Sequence, residues 1–458
     1  MKPSTSKKTR TEIDALGSVE VPVHSYGGSF TARAMANFKI STLKAPDSFR
    51  IGLAFVKMAA AEVNAELGHL PKKSAEAIVQ AGEEFLDGDF DEDYQLDVYQ
   101  AGAGTPYNMC LNEILANRAS ELLGGEKGSY KPVHPNNHVN MSQSSNDVIP
   151  TAIRLATLID LSGLVLSTLD LIKALEAKGK KFEKILKVGR THLQDAVPVT
   201  LGQEFMAHAS ALEHALERLD VAAEELTQMG IGATATGSGI NTHPKFADKM
   251  RKNLGKRLGI EFTALNPFEN NNSMAVFASV SGALRGVATE VLRMSDDLRL
   301  LSSGPFGEIQ LPEVEPGSSI MPGKVNPSVL ECVSMICVQS MAMDHAIAIS
   351  AQRGQLELNW YTPLIMLDML HAIEIMTNGF TMLREHCIEG ITANTEHMKK
   401  TLEEGVAMAT ALAPILGYHE VAEMVKEAKR TKTPFVKLVP AKYKKFIALE
   451  NLVRPNRE

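Results

Sequence analysis

Five long runs of helical periodicity occupy the middle of this chain, and they constrain its fold more than any other feature. The first covers 150–186, with Leu158, Leu161, Val165, Leu169 and Ile172 on one stripe. Asn146 and Asp147 are placed to cap it, and Pro150 suits a first turn. The second follows Pro198, carries Leu201, Phe205, Leu212, Leu216, Leu219, Ala223 and Leu226 in register, and stops at Gly230 and Gly232. Further runs cover 273–303, the stretch from Pro327 to Ala351, and the stretch from Pro363 to about Glu385. Such a set predicts a bundle. The apolar faces, rich in Ala, Leu and Met, are wider than one bundle core needs. They predict that bundles pack against each other between subunits.

The flanks differ from this middle. Up to about residue 145 loops alternate with helices, and the strand signal is little more than VEVPV at 19–23. From about 398 the chain is more charged, with AKRTK and AKYKK runs that read as solvated helix faces. The expected organisation is therefore all-α, with an N-terminal mixed-loop helical domain at 1–145, a central helical bundle at 146–397 and a small helical domain at 398–458. One Trp and 8 Tyr against 21 Met, in 458 residues, agree with helix over sheet.

A formal net charge of -7 argues against nucleic acid or an anionic membrane as partner. Cys110, Cys332, Cys337 and Cys387 lack the spacing of a disulfide framework or a zinc knuckle, so reduced thiols in a cytoplasmic protein are expected. The first residues, MKPSTSKKTRTE, have no apolar run and resemble neither a signal peptide nor a membrane anchor. No stretch reads as long and uncharged enough to span a bilayer.

Four segments are unusually polar for helical surroundings: AGAGTPYNMCLNE at 101–113, NMSQSSND at 140–147, GRTHLQDAVP at 189–198 and EPGSSIMPGKVNP at 315–327. The first three are expected just before or at the start of a helix, where free N–H groups and the helix dipole favour an anion. Together the four supply the hydroxyls of Thr105, Ser144, Ser145, Thr191, Ser318 and Ser319, the amides of Asn146 and Asn326, the His192 imidazole and the Lys324 ammonium. Many donors, one firm positive charge and one group titrating near neutrality suit a small dicarboxylate. No HExxH-type spacing calls for a metal. The stretch 317–324 is one residue too long for a phosphate loop, and Val325 stands where Ser or Thr would follow the lysine. Taken singly, SQSSND reads as a helix cap and His192 as a structural histidine.

In combination, GSSIMPGKVNP at 317–327 resembles the signature loop of class II fumarases, aspartases and their relatives over eleven consecutive residues. GRTHLQDAVPVTLGQEF, HVNMSQSSND, AGAGTPYNM and RTEIDALGSVEVP fall in that superfamily's order and spacing. The resemblance implies a three-domain subunit, a homotetramer whose central five-helix bundles join, and active sites each drawn from three subunits. It implies a lyase without metal or organic cofactor. Ser318 would be the base on a mobile loop. Lys324 and Asn326 would bind one carboxylate with Thr191 and His192, and Thr105, Ser144, Ser145 and Ser319 the other. Asn146 and His192 would face the leaving group, and Glu331 would partner the histidine. Chemically, a carbanion beside a carboxylate must be held as an aci-carboxylate, which preorganised donors stabilise. A serine base needs its pKa lowered by N–H groups and a cation.

The leaving group is less evident. SSND, THP at 242–244 and GEI…PEVEPGSS are fumarase-like. AGAGT, VNMSQS, DLRLLSSGP, GQLELN at 354–359 and GITAN at 390–394 are aspartase-like. By count they favour L-aspartate, ammonia and fumarate, with fumarate hydration as the alternative and an inert structural member, like the helical lens crystallins, behind both. SSGPFGEI at 302–309 is shorter than usual, and Pro106 and Tyr107 replace small polar residues. Both changes are expected near substrate. Asn137 in HPNNHVN stands where a second anion site of fumarases carries Asp, so that site is not assigned.

Overall fold

The computed structural model describes residues 8–317, 320–447 and 452. The chain is all-α, 63% helical with little sheet. The expected long helices are Ser145–Lys181, Leu201–Glu224, Ala275–Ser302, Ser328–Ala351 and Thr362–His386. The first begins earlier than its periodicity suggested. Ser144 is the cap: its Oγ accepts the Asn146 N–H at 3.3 Å, while the Asp147 carboxylate accepts the Ser144 N–H at 2.9 Å. This reciprocal pair starts the helix at Ser145 and leaves Pro150 inside it, where proline removes one helical N–H.

Among the described residues the sheet is confined to two-stranded pieces. The strand seen in VEVPV belongs to an antiparallel pair, Thr9–Asp14 with Gly17–Pro22. A second hairpin, Leu186–Thr191 with Gln194–Thr200, occupies a stretch read as the approach to a helix. The helix proper starts at Leu201.

Two compact units divide the chain. One comprises Met1–Leu164, Arg218–Arg285 and Gln339–Ile375. In it, helices Asp47–Glu66, Lys72–Leu86 and Thr105–Leu122 pack together, with the Tyr107 ring against those of Phe49 and Tyr94. The other comprises Val165–Glu217, Gly286–Val338 and Met376–Glu458. There Val188 of the second hairpin joins an apolar cluster with Leu402, Met408, Leu412 and Phe435.

The expectation that no stretch could span a bilayer is corrected. Ser145–Lys181, Ala275–Ser302 and Ser328–Ala351 are long and apolar enough by length and composition. Sparse charges and broad Ala, Leu and Met faces put these helices over the threshold, and only half or less of their most apolar windows is buried within the chain. Leu166, Met335 and Val338 are among the exposed apolar side chains they carry.

Candidate functional site

In the first unit two helix starts lie together. Gly104, at φ +68°, turns the chain into helix Thr105–Leu122, and a Cβ there would stand 3.0 Å from Ile149 of helix Ser145–Lys181. That contact requires glycine on two counts, a left-handed backbone and a close neighbour. Asn108 Nδ2 donates to Ser145 Oγ at 3.1 Å, tying the two first turns directly. Thr105, Ser144 and Ser145 thus gather at paired N-termini, where hydroxyls and two helix dipoles favour an anion. Asn146 is directed elsewhere: its Nδ2 donates to Ala235 O at 2.7 Å.

Asp147 fixes this corner. Wholly buried, its carboxylate accepts the Ser144 N–H, and those of Gly232 at 3.0 Å and Thr234 at 2.9 Å. Burial pushes its pKa up against the pull of these backbone donors. Sequence reading saw a cap and missed the longer-range anchor.

Pro106 and Tyr107 do not behave as substrate neighbours. Pro106 sits at the start of its helix, where its missing N–H costs nothing, and Tyr107 is buried between Phe49 and Tyr94. Its hydroxyl has no hydrogen-bond partner.

In the second unit Thr191 and His192 stand at the exposed tip of the hairpin Leu186–Thr191/Gln194–Thr200. They are not at a helix N-terminus, which removes the anion argument made for GRTHLQDAVP. The two turn residues, His192 at φ +53° and Leu193 at φ +57°, both adopt the left-handed conformation that a tight hairpin demands. Neither is Gly or Asn, so the usual turn signal was absent.

Below the tip lies a buried ion network. Glu308 takes Lys187 at 2.8 Å and Arg190 at 2.6 Å, and Lys187 also reaches Glu204 at 2.6 Å. Arg190 lies 4.6 Å over the Phe306 ring. The shortened 302–309 segment thus braces the strand leading to Thr191. Nothing in the sequence marks Lys187, Glu204 and Glu308 as partners, although Glu308 falls in the fumarase-like GEI.

Lys324 is exposed and Asn326 half-buried in the loop before helix Ser328–Ala351. Asn326 Nδ2 donates to Gly317 O, and a Cβ on Gly317 would collide with the Lys324 carbonyl. A cleft of about 910 Å³ opens here, lined by Arg299, Ser302, Ser303, Gln310 and Asn326 among others. Ser318 and Ser319 lie outside the described residues. Glu331 is exposed in the first turn of its helix. Among the described residues, no hydrogen bond or ion pair within the chain joins Glu331 to His192, or the hairpin tip to the loop.

The chain matches the lyase family model over residues 17–342. It is 45% identical over 425 residues to a protein of Bradyrhizobium diazoefficiens named fumarate hydratase class II 2, covering 92% of this chain and 90% of that one. A class II fumarase from Schistosoma mansoni has the same fold, with a TM-score of 0.94 and 33% identity, covering 98% of this chain and 100% of that one. A fumarate lyase:delta crystallin from Brucella melitensis, bound to cobalt, gives 0.93 and 41%, covering 97% and 99%.

These relatives overturn ammonia as the expected leaving group and L-aspartate as the expected substrate. The structure explains why that count misled. Gly102 of AGAGT is pressed against the Trp360 carbonyl, and Asn359 of GQLELN bonds the carbonyls of Ser350 and Ala351. Asn394 of GITAN caps the helix Thr395–Glu404 and holds Gly307 O. Those motifs report backbone packing, and packing says nothing about which group departs.

Proposed function

From this chain's membership of the fumarase/aspartase superfamily, we propose that it is a class II fumarate hydratase, interconverting L-malate with fumarate and water. The observation that carries the reading is the 45% identity across 92% of the chain to a protein of that name. The paired helix starts at Thr105 and Ser145 support it, since they offer hydroxyl donors and two helix dipoles to one end of a dicarboxylate.

Ser318, as alkoxide, takes the proton from the carbon next to the second carboxylate. The released electron pair passes into that carboxylate, which becomes an aci-carboxylate held by Lys324 and Asn326 with Thr191. Charge-assisted donors aimed at the oxygens where charge grows lower the barrier. The neighbouring C–O bond then breaks, and the hydroxyl leaves as water with a proton from His192. Glu331 stabilises the charged imidazole, and Asn146, whose Nδ2 is bound to Ala235 O within this chain, would turn its amide to the leaving group.

The site is completed by subunit assembly. Apolar residues left exposed on the long helices, such as Leu166, Val221 and Met335, become buried in a homotetramer core. Each active site then draws on three subunits.

Proton NMR of purified protein with fumarate tests the reaction. Malate should accumulate without ammonium present. Aspartate forming only with ammonium, or no turnover at all, would remove this reading.

A further inference from the structure

Beneath the Ser144–Ser145 corner, helix Asp47–Glu66 presents two wholly buried polar side chains seven residues apart, Lys57 and Asn64. Residues seven apart on a helix share a face. Asn64 Nδ2 donates to Met141 O at 3.1 Å and its Oδ1 accepts from Ser142 Oγ at 3.0 Å, where Ser142 has φ +64°. Lys57 Nζ donates to Asn140 Oδ1 at 3.0 Å and Gln143 Oε1 at 2.9 Å. Asn140 Oδ1 also accepts Asn108 Nδ2 at 3.2 Å, and the same Nδ2 donates to Ser145 Oγ at 3.1 Å.

This chain of contacts has a direction. An ammonium can only donate, so Lys57 obliges Asn140 to turn its oxygen inward. That oxygen obliges Asn108 to present its NH2. The NH2 spends its second hydrogen on Ser145 Oγ, which therefore accepts and keeps its own proton. Without Lys57, Asn140 keeps only its long Nδ2 bond to Gln143 O at 3.3 Å, and both amides reverse at the cost of that one bond. Asn108 would then offer an oxygen, and Ser145 would spend its proton inside the protein.

We propose that Lys57 is a positioning residue for dicarboxylate binding: through Asn140 and Asn108 it sets the polarity of the relay and leaves the Ser145 hydroxyl proton for a substrate carboxylate. The placement is costly in itself. Burial pushes Lys57 down to about 7, with the Asp147 carboxylate opposing. Methionine or leucine would fill the position without that cost, so the charge has a use. The dicarboxylate itself rests on the proposed function, whereas the direction of the relay does not.

The test is a double-mutant cycle on the full-length protein, read as succinate affinity by calorimetry, with thermal melting as the folding control. Succinate is a saturated four-carbon dicarboxylate that cannot be hydrated, so the readout is independent of turnover. Lys57→Met and Ser145→Ala should each weaken binding about tenfold, the loss of one hydrogen bond to a charged group. Together they should weaken it scarcely more than either alone, because both remove the same proton from the ligand. Additive losses, or a folded Lys57→Met protein with unchanged affinity, would overturn the proposal. Should Lys57→Met fail to fold, Asn108→Leu takes its place in the cycle with the same non-additivity expected. A wild-type protein that binds succinate but makes no malate would sink the hydratase reading and leave the cycle to judge Lys57. One that binds no succinate would sink both.

Discussion

In the first unit, Ser145 is buried, receives a hydrogen bond from Asn108, and rests on a scaffold that Asp147 ties to Gly232 and Thr234. In the second unit, Thr191, His192 and Lys324 are exposed on a hairpin tip and a loop. Both regions are read as parts of one reaction, yet only the first is held by a dense buried network at the functional side chains themselves. In the second the network stops at Arg190 and Glu308, one residue before Thr191. The difference suits a division of labour. Groups that hold a carboxylate throughout benefit from rigid donors, since any reorganisation costs affinity. Groups that exchange protons and close over substrate need freedom to move.

The largest predicted effect falls on the second region. Ser318→Ala should lower kcat about 10⁴-fold, as loss of a general base does at the upper end of its usual range, with sedimentation unchanged from the wild type. Retained turnover in a folded variant would take Ser318 out of the mechanism.

Next comes a stability effect in the first region. Asp147→Ala leaves two buried backbone N–H groups and one half-buried one without an acceptor, and Lys57 without its countercharge, and should cost about 3–5 kcal/mol in denaturant unfolding. A loss below 1 kcal/mol would mean that the corner is not anchored as described.

His192→Ala should lower turnover about 10²-fold, less than loss of the base, because Ser318 still removes the proton. A loss equal to that of Ser318→Ala would merge the two roles.

The smallest effect sharpens the contrast by elimination. Tyr107→Phe removes a buried hydroxyl without a partner, so stability should be unchanged or rise by up to about 1 kcal/mol, with KM unchanged. A raised KM would return Tyr107 to the substrate site.

The long helices were legible because twenty or more residues of 3.6-residue periodicity, bounded by Pro198, Gly230, Pro327 and Pro363, admit few other structures. The hairpin at 186–200 was not. Its strands are short, it runs straight into a helix, and its turn is made by His192 and Leu193 in a conformation that glycine or asparagine ordinarily signals. The candidate site residues rest on shared motifs, since Thr191 or Ser145 alone carries no distinguishing mark. Their supports were missed for a different reason. Lys57 stands alone in the apolar run FVKMAAA, which is a visible signal of a buried charge, but its partners lie more than eighty residues away and only the fold joins them. Bilayer-like composition is hard to read because scattered charges interrupt the apolar runs without lowering their mean hydropathy enough.

The division of labour is tested most directly by steady-state dehydration of malate with Ser145→Ala and His192→Ala measured side by side. Ser145→Ala should raise KM about tenfold with kcat little changed, and His192→Ala should lower kcat with KM little changed. The reverse pattern, or equal losses in both constants for both variants, would contradict the account.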